Sequence, residues 1–245
     1  MISLVVSGVF AGCTRPIAPL VSPQQSAVAL TGGANASMVY LARTSDGILA
    51  IDLGWFGYED EFVSALDDLG ATPNDVRLVF LTHSHFDHIG AWKLVRHARF
   101  HAAVAEHTRL TGDTAHSGWI PRLGHGITRG SLPDAGDLDV RTFDRDTMFA
   151  IGADTLRAYV VPGHTAGSAV YLFRGILFLG DAATYSRRGG FAPAKRGFSD
   201  DTDAARRNLE LLWRRLPTNG VRYVCTGHAR CAPFSNEFLR DVAHE

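Results

Sequence analysis

Thiols are scarce, with three cysteines in 245 residues, and none of them falls among the clustered metal-ligand residue types of the chain. A metal site here is therefore built from nitrogen and oxygen donors. Charge of one sign is missing as well. The 24 basic and 25 acidic residues give a formal net charge of -1, which supplies no field for attracting a phosphate backbone, so no nucleic-acid partner is expected. Long hydrophobic runs are absent: the apolar stretch Leu4–Ala11 is too short to span a bilayer as a helix. No repeat of fixed period and no low-complexity tract appears beyond the first residues. What remains, 46% hydrophobic and 20% charged residues, is ordinary for a globular protein. The length admits one large domain or two small ones, and the spread of motifs favours one.

Residues 1 to 12 are apolar and small and read as an export h-region. Phe10-Ala11-Gly12-Cys13 resembles a bacterial lipoprotein cleavage site, which makes 1–13 a lipoprotein-type export signal and Cys13 a membrane tether. Residues 14–25, with Pro16, Pro19 and Pro23, read as a linker, and 26–245 as the folded domain. The expected location is the periplasm or its membrane, or the cytoplasm if the leader is not a signal.

The densest chemistry lies in Thr82-His83-Ser84-His85-Phe86-Asp87-His88, directly after the apolar run Val76–Leu81. That run reads as a buried strand, so the ligand types sit on a loop at a strand end. In an extended loop His83 and His85 point the same way and can chelate one ion, while Asp87 and His88, past a bend, can reach a second. Imidazole and carboxylate suit zinc, and also manganese, iron or nickel.

Three further motifs follow in order: Val161-Pro162-Gly163-His164-Thr165-Ala166-Gly167-Ser168, Leu179-Gly180-Asp181 and Thr226-Gly227-His228. Together with the first they resemble the metallo-β-lactamase-fold hydrolases, in the dinuclear zinc branch. The resemblance implies an αββα four-layer sandwich. It also implies that His83, His85 and His164 hold one metal, that Asp87, His88 and His228 hold the second, and that Asp181 bridges them. Asp52, at the end of a hairpin, is either a supporting group beside the metal loop or simply an Asp at a turn.

Elsewhere the pattern is coarser. Asp46-Gly47 between apolar runs predicts a hairpin. Phe62, Val63, Leu66 and Leu69 predict one helix, and Asp203 to Leu216, stopped by Pro217, a second. Each of His164, Asp181 and His228 follows an apolar strand. Residues 111–136 show no periodicity and read as a long functional loop, with His116, Trp119, Ile120 and His125 as the residues able to touch substrate. His97, His101 and His107 read as scaffold or surface residues. Cys225 and Cys231 flank His228; they could pair in an oxidising compartment, but free buried thiols are the expectation.

The resemblance implies a hydrolase of a small-molecule ester, lactone, thioester or amide, with two zinc ions sharing a hydroxide as nucleophile. Asp87 is placed to shuttle a proton and Tyr185 to stabilise an oxyanion. With 17 residues after His228, the glutathione-gripping helical region of glyoxalase II thioesterases is not expected. Asp181 argues against the β-lactamase branches, and His85 against the iron-flavin branch, which carries an acid there. The alternatives are a β-lactamase, a mononuclear iron oxygenase using His83, His164 and Asp181, or a tethered metal-binding protein without turnover.

Overall fold

The computed structural model describes residues 25–29, 37–111, 114, 116–185, 190–194, 196–228 and 231–234. The predicted export signal, Cys13 and nearly all of the linker lie outside them. Among the described residues no helix is long and apolar enough to cross a membrane.

Two six-stranded sheets carry the fold. The first runs in spatial order β1 (Gln25–Ala29), β2 (Met38–Thr44), β3 (Gly47–Ile51), β4 (Val76–Phe80), β5 (Arg99–Ala103), β6 (Asp139–Phe143). The second is built from β7 (Thr147–Ile151), β8 (Asp154–Val160), β9 (Ala169–Phe173), β10 (Ile176–Gly180), β13 (Tyr223–Thr226) and β14 (Cys231–Pro233), in the order β14-β13-β10-β9-β8-β7. A small ladder pairs β11 (Thr184–Tyr185) with β12 (Phe191–Ala192). Strands β3 to β6 are parallel neighbours, and β10 runs parallel to β13. Parallel neighbours share a direction, so the loops that leave them emerge at one end of each sheet, and that is where the ligand motifs fall.

The layering follows from the two-residue period of strands. On β2, Val39 and Leu41 face a cluster that includes Phe62 and Leu66 of helix α1 (Glu59–Asp67), whereas Met38, Tyr40 and Ala42 face the other sheet. On β9, Val170 and Leu172 turn toward Leu209, Leu212 and Trp213 of a long helix, while Tyr171 and Phe173 join the inter-sheet core. Each sheet therefore buries both faces, one against the other sheet and one against a helix, which is the expected αββα sandwich.

Two expectations are corrected. The stretch read as a loop contains, besides the short helix α2 (His107–Leu110) before it, a ten-residue helix α3 (Trp119–Thr128). Pro121 is tolerated because it lies in the first turn, where its missing N–H would have no partner. Together with Gly124 and Gly126 it hides the helical period. The 14-residue helix α4 (Thr202–Arg215) is as the spacing predicts, capped by the Asp201 carboxylate, which accepts from the Ala204 amide at 2.9 Å. Secondly, Cys225 and Cys231 are joined in a disulfide. Strand β14 folds back on β13 and sets the two residues directly opposite each other, so the chain segment carrying His228 is closed at its base.

Candidate metal centre

All seven residues singled out as ligands converge at the mouth between the sheets. His83, His85, Asp87 and His88 follow β4, His164 follows β8, Asp181 follows β10 and His228 follows β13. The ring nitrogens of the first trio form a small triangle, with His83 Nε2 at 3.0 Å from His85 Nδ1, and His164 Nε2 at 3.2 Å from His83 Nε2 and 3.0 Å from His85 Nδ1. The second trio is looser. His228 Nε2 lies 3.0 Å from Asp87 Oδ2 and 3.4 Å from His88 Nε2. Asp181 stands between the trios: Oδ2 is 3.1 Å from His228 Nε2 and 3.5 Å from His164 Nε2, and Oδ1 is 3.7 Å from His88 Nε2.

The donor chemistry fits two cations. Three imidazole nitrogens in mutual contact cannot all hydrogen-bond to one another, because each pair needs one proton and each nitrogen carries one proton or one lone pair. Thr82 Oγ1 lies 3.0 Å from His83 Nδ1, and Ser199 Oγ lies 3.3 Å from His164 Nδ1, so these outer nitrogens have partners of their own. The inner lone pairs can then meet at one point, and tetrahedral zinc, with nitrogen at about 2.0–2.1 Å, spaces its ligands on this scale. Groups of ligand atoms lying within 4.8 Å of one another are His83, His85 and His164; His83, His88 and Asp181; and Asp87, His88 and His228.

Electrostatics separate the trios. Burial, followed by repulsion from His88 and the neighbouring imidazoles, holds His83 well below the ordinary histidine range. Burial and then His164 do the same to His85, and burial outweighs the attraction of Asp181 in lowering His164. These three are neutral donors. Burial opposes charge on His228 too, but Asp181 and then Asp87 push it up to about 11. His88 is likewise opposed by burial and raised to about 8, first by Asp52. Asp181 and Asp87 stay ionised despite burial, held below the usual carboxylate range chiefly by His228 and His88 respectively.

Asp52 resolves into a supporting group. It has a left-handed backbone with φ of 58°, a conformation Asp tolerates better than most residues. Its Oδ2 meets His88 Nδ1 and accepts from Thr82 Oγ1, both at 2.8 Å, and Oδ1 accepts from the Thr82 amide at 2.8 Å. Fixing the outer nitrogen of His88 sets which nitrogen faces the centre. Gly227 is required by crowding, since a Cβ there would stand 2.0 Å from Asp181 Oδ1.

In front of the donors opens a cavity of about 400 Å³. Its floor holds His85, Asp87, Asp181 and His228, and its walls include Trp55, Phe86, Ile120, Pro121 and Phe198. Of the residues expected to touch substrate, Ile120 lines the cavity. Trp119 points to solvent, 64% exposed, and His116 is buried with its ring 4.3 Å from His85, a buttress rather than a lining residue. The side chains of His125 and Tyr185 lie outside the described ones; the backbone of Tyr185 follows the lining residue Thr184 in β11. Trp55, Phe86 and Phe198 were missed as wall residues. Phe86 sits inside the ligand motif itself, where an aromatic among polar neighbours was the available signal.

The family model described as the metallo-beta-lactamase superfamily matches residues 32–228. A hydroxyacylglutathione hydrolase of Acidiphilium cryptum is 32% identical over 121 residues, covering 49% of this chain and 37% of that protein. The uncharacterized protein YobT of Bacillus subtilis is 28% identical over 162 residues, covering 62% of this chain and 64% of its own length. The chain thus spans less than two thirds of either relative. A metallo-beta-lactamase from Pontibacter korlensis shares the fold with a TM-score of 0.64 at 20% identity, over 92% of this chain and 97% of that one. A family match across most of the chain, the layered sheets and the ordered ligand motifs agree: the chain belongs to the metallo-beta-lactamase superfamily.

Proposed function

We propose that the protein is a metal-dependent hydrolase that works with two divalent ions, zinc foremost, on a small ester or lactone with an apolar part. His83, His85 and His164 would hold one ion and Asp87, His88 and His228 the other, with Asp181 placed between the two groups. The observation that carries this reading is the convergence of the two trios on Asp181 at the floor of an apolar-walled cavity. Bound ions of this kind supply Lewis acidity and make water a nucleophile at neutral pH.

The chain's own residues orient the reaction. Trp55, Phe86, Ile120, Pro121 and Phe198 receive the apolar part of the substrate and displace water from it. Asp87, ionised and facing the cavity, takes a proton from the attacking water and returns it to the leaving oxygen. Tyr185, four residues after Asp181, is the proposed donor to the developing oxyanion.

Thioester hydrolysis is the second reading, favoured by the 32% identity with the hydroxyacylglutathione hydrolase. A panel of neutral esters, lactones, thioesters and a β-lactam, run on zinc-loaded protein without oxygen and on iron-loaded protein with it, tests both. Ester or lactone turnover is expected. Turnover that demands iron and oxygen points to the oxygenase, and bound metal with no hydrolysis of any class points to a binding protein.

A further inference from the structure

Strand order places two acids on either side of the ligand loop. β3, β4 and β5 are parallel neighbours with β4 in the middle. The chain segments leaving them emerge side by side at one end of the sheet. The loop after β4 carries His83, His85, Asp87 and His88. Asp52, directly after β3, grips it on one flank through Thr82 and His88. On the other flank stands Glu106, in the short helical turn Val104–Glu106 that follows β5. No expectation drawn from the sequence included it.

Glu106 is fully buried. Its Oε2 accepts from the Ser84 amide at 2.8 Å and from Ser84 Oγ at 2.5 Å, and its Oε1 accepts from the Gly167 amide at 2.8 Å. Ser84 is the residue between His83 and His85. Gly167 belongs to the turn that begins with His164, three residues earlier. One carboxylate therefore joins the two loops, from different sheets, that carry the first trio. The seat is tight, because a Cβ at Gly167 would lie 2.8 Å from Glu106 Cγ and Oε1. One helical turn further on, Arg109 pairs with Asp200 at 2.5 Å, and the Asp200 amide donates to the His164 carbonyl at 2.9 Å. The segment after β5 thus holds the His164 turn at two points.

Resting on the two-ion reading above, we infer that Glu106 is the positioning residue of the first trio, the counterpart of Asp52 for the second. A buried acid that receives three donors costs desolvation and returns it only if all three bonds form, so the two loops have one relative position. That position sets the spacing of His83 and His85 against His164. Gln at 106 keeps the shape but has one oxygen, so its amide group must face an N–H on one side. The loops part on that side, and the triangle of nitrogens opens.

The experiment is calorimetric titration of metal-stripped protein with zinc in two backgrounds. With His228→Ala only the first trio holds an ion firmly, and with His164→Ala only the second does. Glu106→Gln is expected to weaken the ion in the first background about 10–100-fold, the scale of outer-shell partners, and to change the second less than about twofold. Asp52→Asn should weaken the second background more than the first, because Asp52 touches the His88 ring directly and reaches His83 only through Thr82. Equal weakening in both backgrounds, or none in the first, overturns the inference. If Glu106→Gln gives no cooperative melt, Ser84→Ala replaces it: both backbone donors remain, and about fivefold weakening confined to the first trio is expected. No change there overturns the inference as well. Wild type that binds no zinc sinks the hydrolase reading itself, whereas two ions in wild type and an unaffected Glu106→Gln sink only the role of Glu106.

Discussion

The two halves of the centre are built on different physics. His83, His85 and His164 are almost sealed, all imidazole, and forced neutral by burial and mutual repulsion. Asp87, His88 and His228 mix a carboxylate with two histidines pulled toward charge, and the His228 side chain is 33% exposed to the cavity. Both trios draw on two sheets; Glu106 meets the loops of the first through Ser84 and Gly167 and touches none of its rings, whereas Asp52 sits directly on the His88 ring of the second. The first half is buried, and the second opens on the cavity. A shared Asp181 couples them.

The largest effect that would sharpen this contrast comes from His228→Ala. Removing the exposed donor should empty the second trio, leave an ion at the first, and cost more in kcat than the roughly 100-fold upper end for outer-shell partners. An oxygenase relying on His83, His164 and Asp181 would keep most of its activity, so oxygen-dependent turnover surviving this change breaks the account. Gly227→Ala comes next. Its methyl group meets Asp181 Oδ1 at 2.0 Å, and the expected result is about 1–3 kcal/mol lost in denaturant unfolding together with weaker binding of both ions. A variant with unchanged stability and metal affinity would show that Asp181 has slack the geometry denies.

A smaller effect tests the open half alone. The Cys225–Cys231 bridge closes the segment bearing His228. Cys231→Ser, or a phosphine reductant that does not chelate the ion as a dithiol would, should weaken the second ion severalfold and spare the first. Loss at the first trio instead would mean that the bridge serves the whole sandwich.

The smallest effect uses a buried histidine outside the centre. His101 is stacked on Phe80 at 4.6 Å and lies 4.8 Å from Phe149; burial, then Arg99, lowers it to about 4. Between pH 6.5 and 4 the unfolded chain therefore binds the extra proton and the folded chain does not. The stability is fully present above pH 6.5 and is lost as pH falls toward 4. His101→Phe should flatten that part of the pH–stability curve of the metal-free protein relative to wild type; parallel curves would contradict it.

How much of this was legible in the sequence depended on range. His83, His85, Asp87 and His88 are adjacent in the chain, so their shared role shows in spacing alone, and helix α4 announces itself through Leu209, Leu212 and Trp213 before Pro217. The pairing of these ligands with His164, Asp181 and His228 needed the family resemblance, because nothing local says that four strand ends meet. Helix α3 was hidden by Pro121, Gly124 and Gly126. Disulfide Cys225–Cys231 depended on β14, three residues long and without an alternating pattern. Glu106 was invisible for a deeper reason: its meaning arises only when β3, β4 and β5 lie side by side, and a lone acid after a strand carries no such mark.

The proposed function needs seven side chains to form one centre for two ions coupled through Asp181. Its most direct test is metal content per chain, measured on zinc-reconstituted wild type and on Asp181→Ala after identical dialysis. Close to two ions are expected in wild type, and a loss of one or both in the variant. A single tightly held ion in wild type, unchanged by Asp181→Ala, would contradict it.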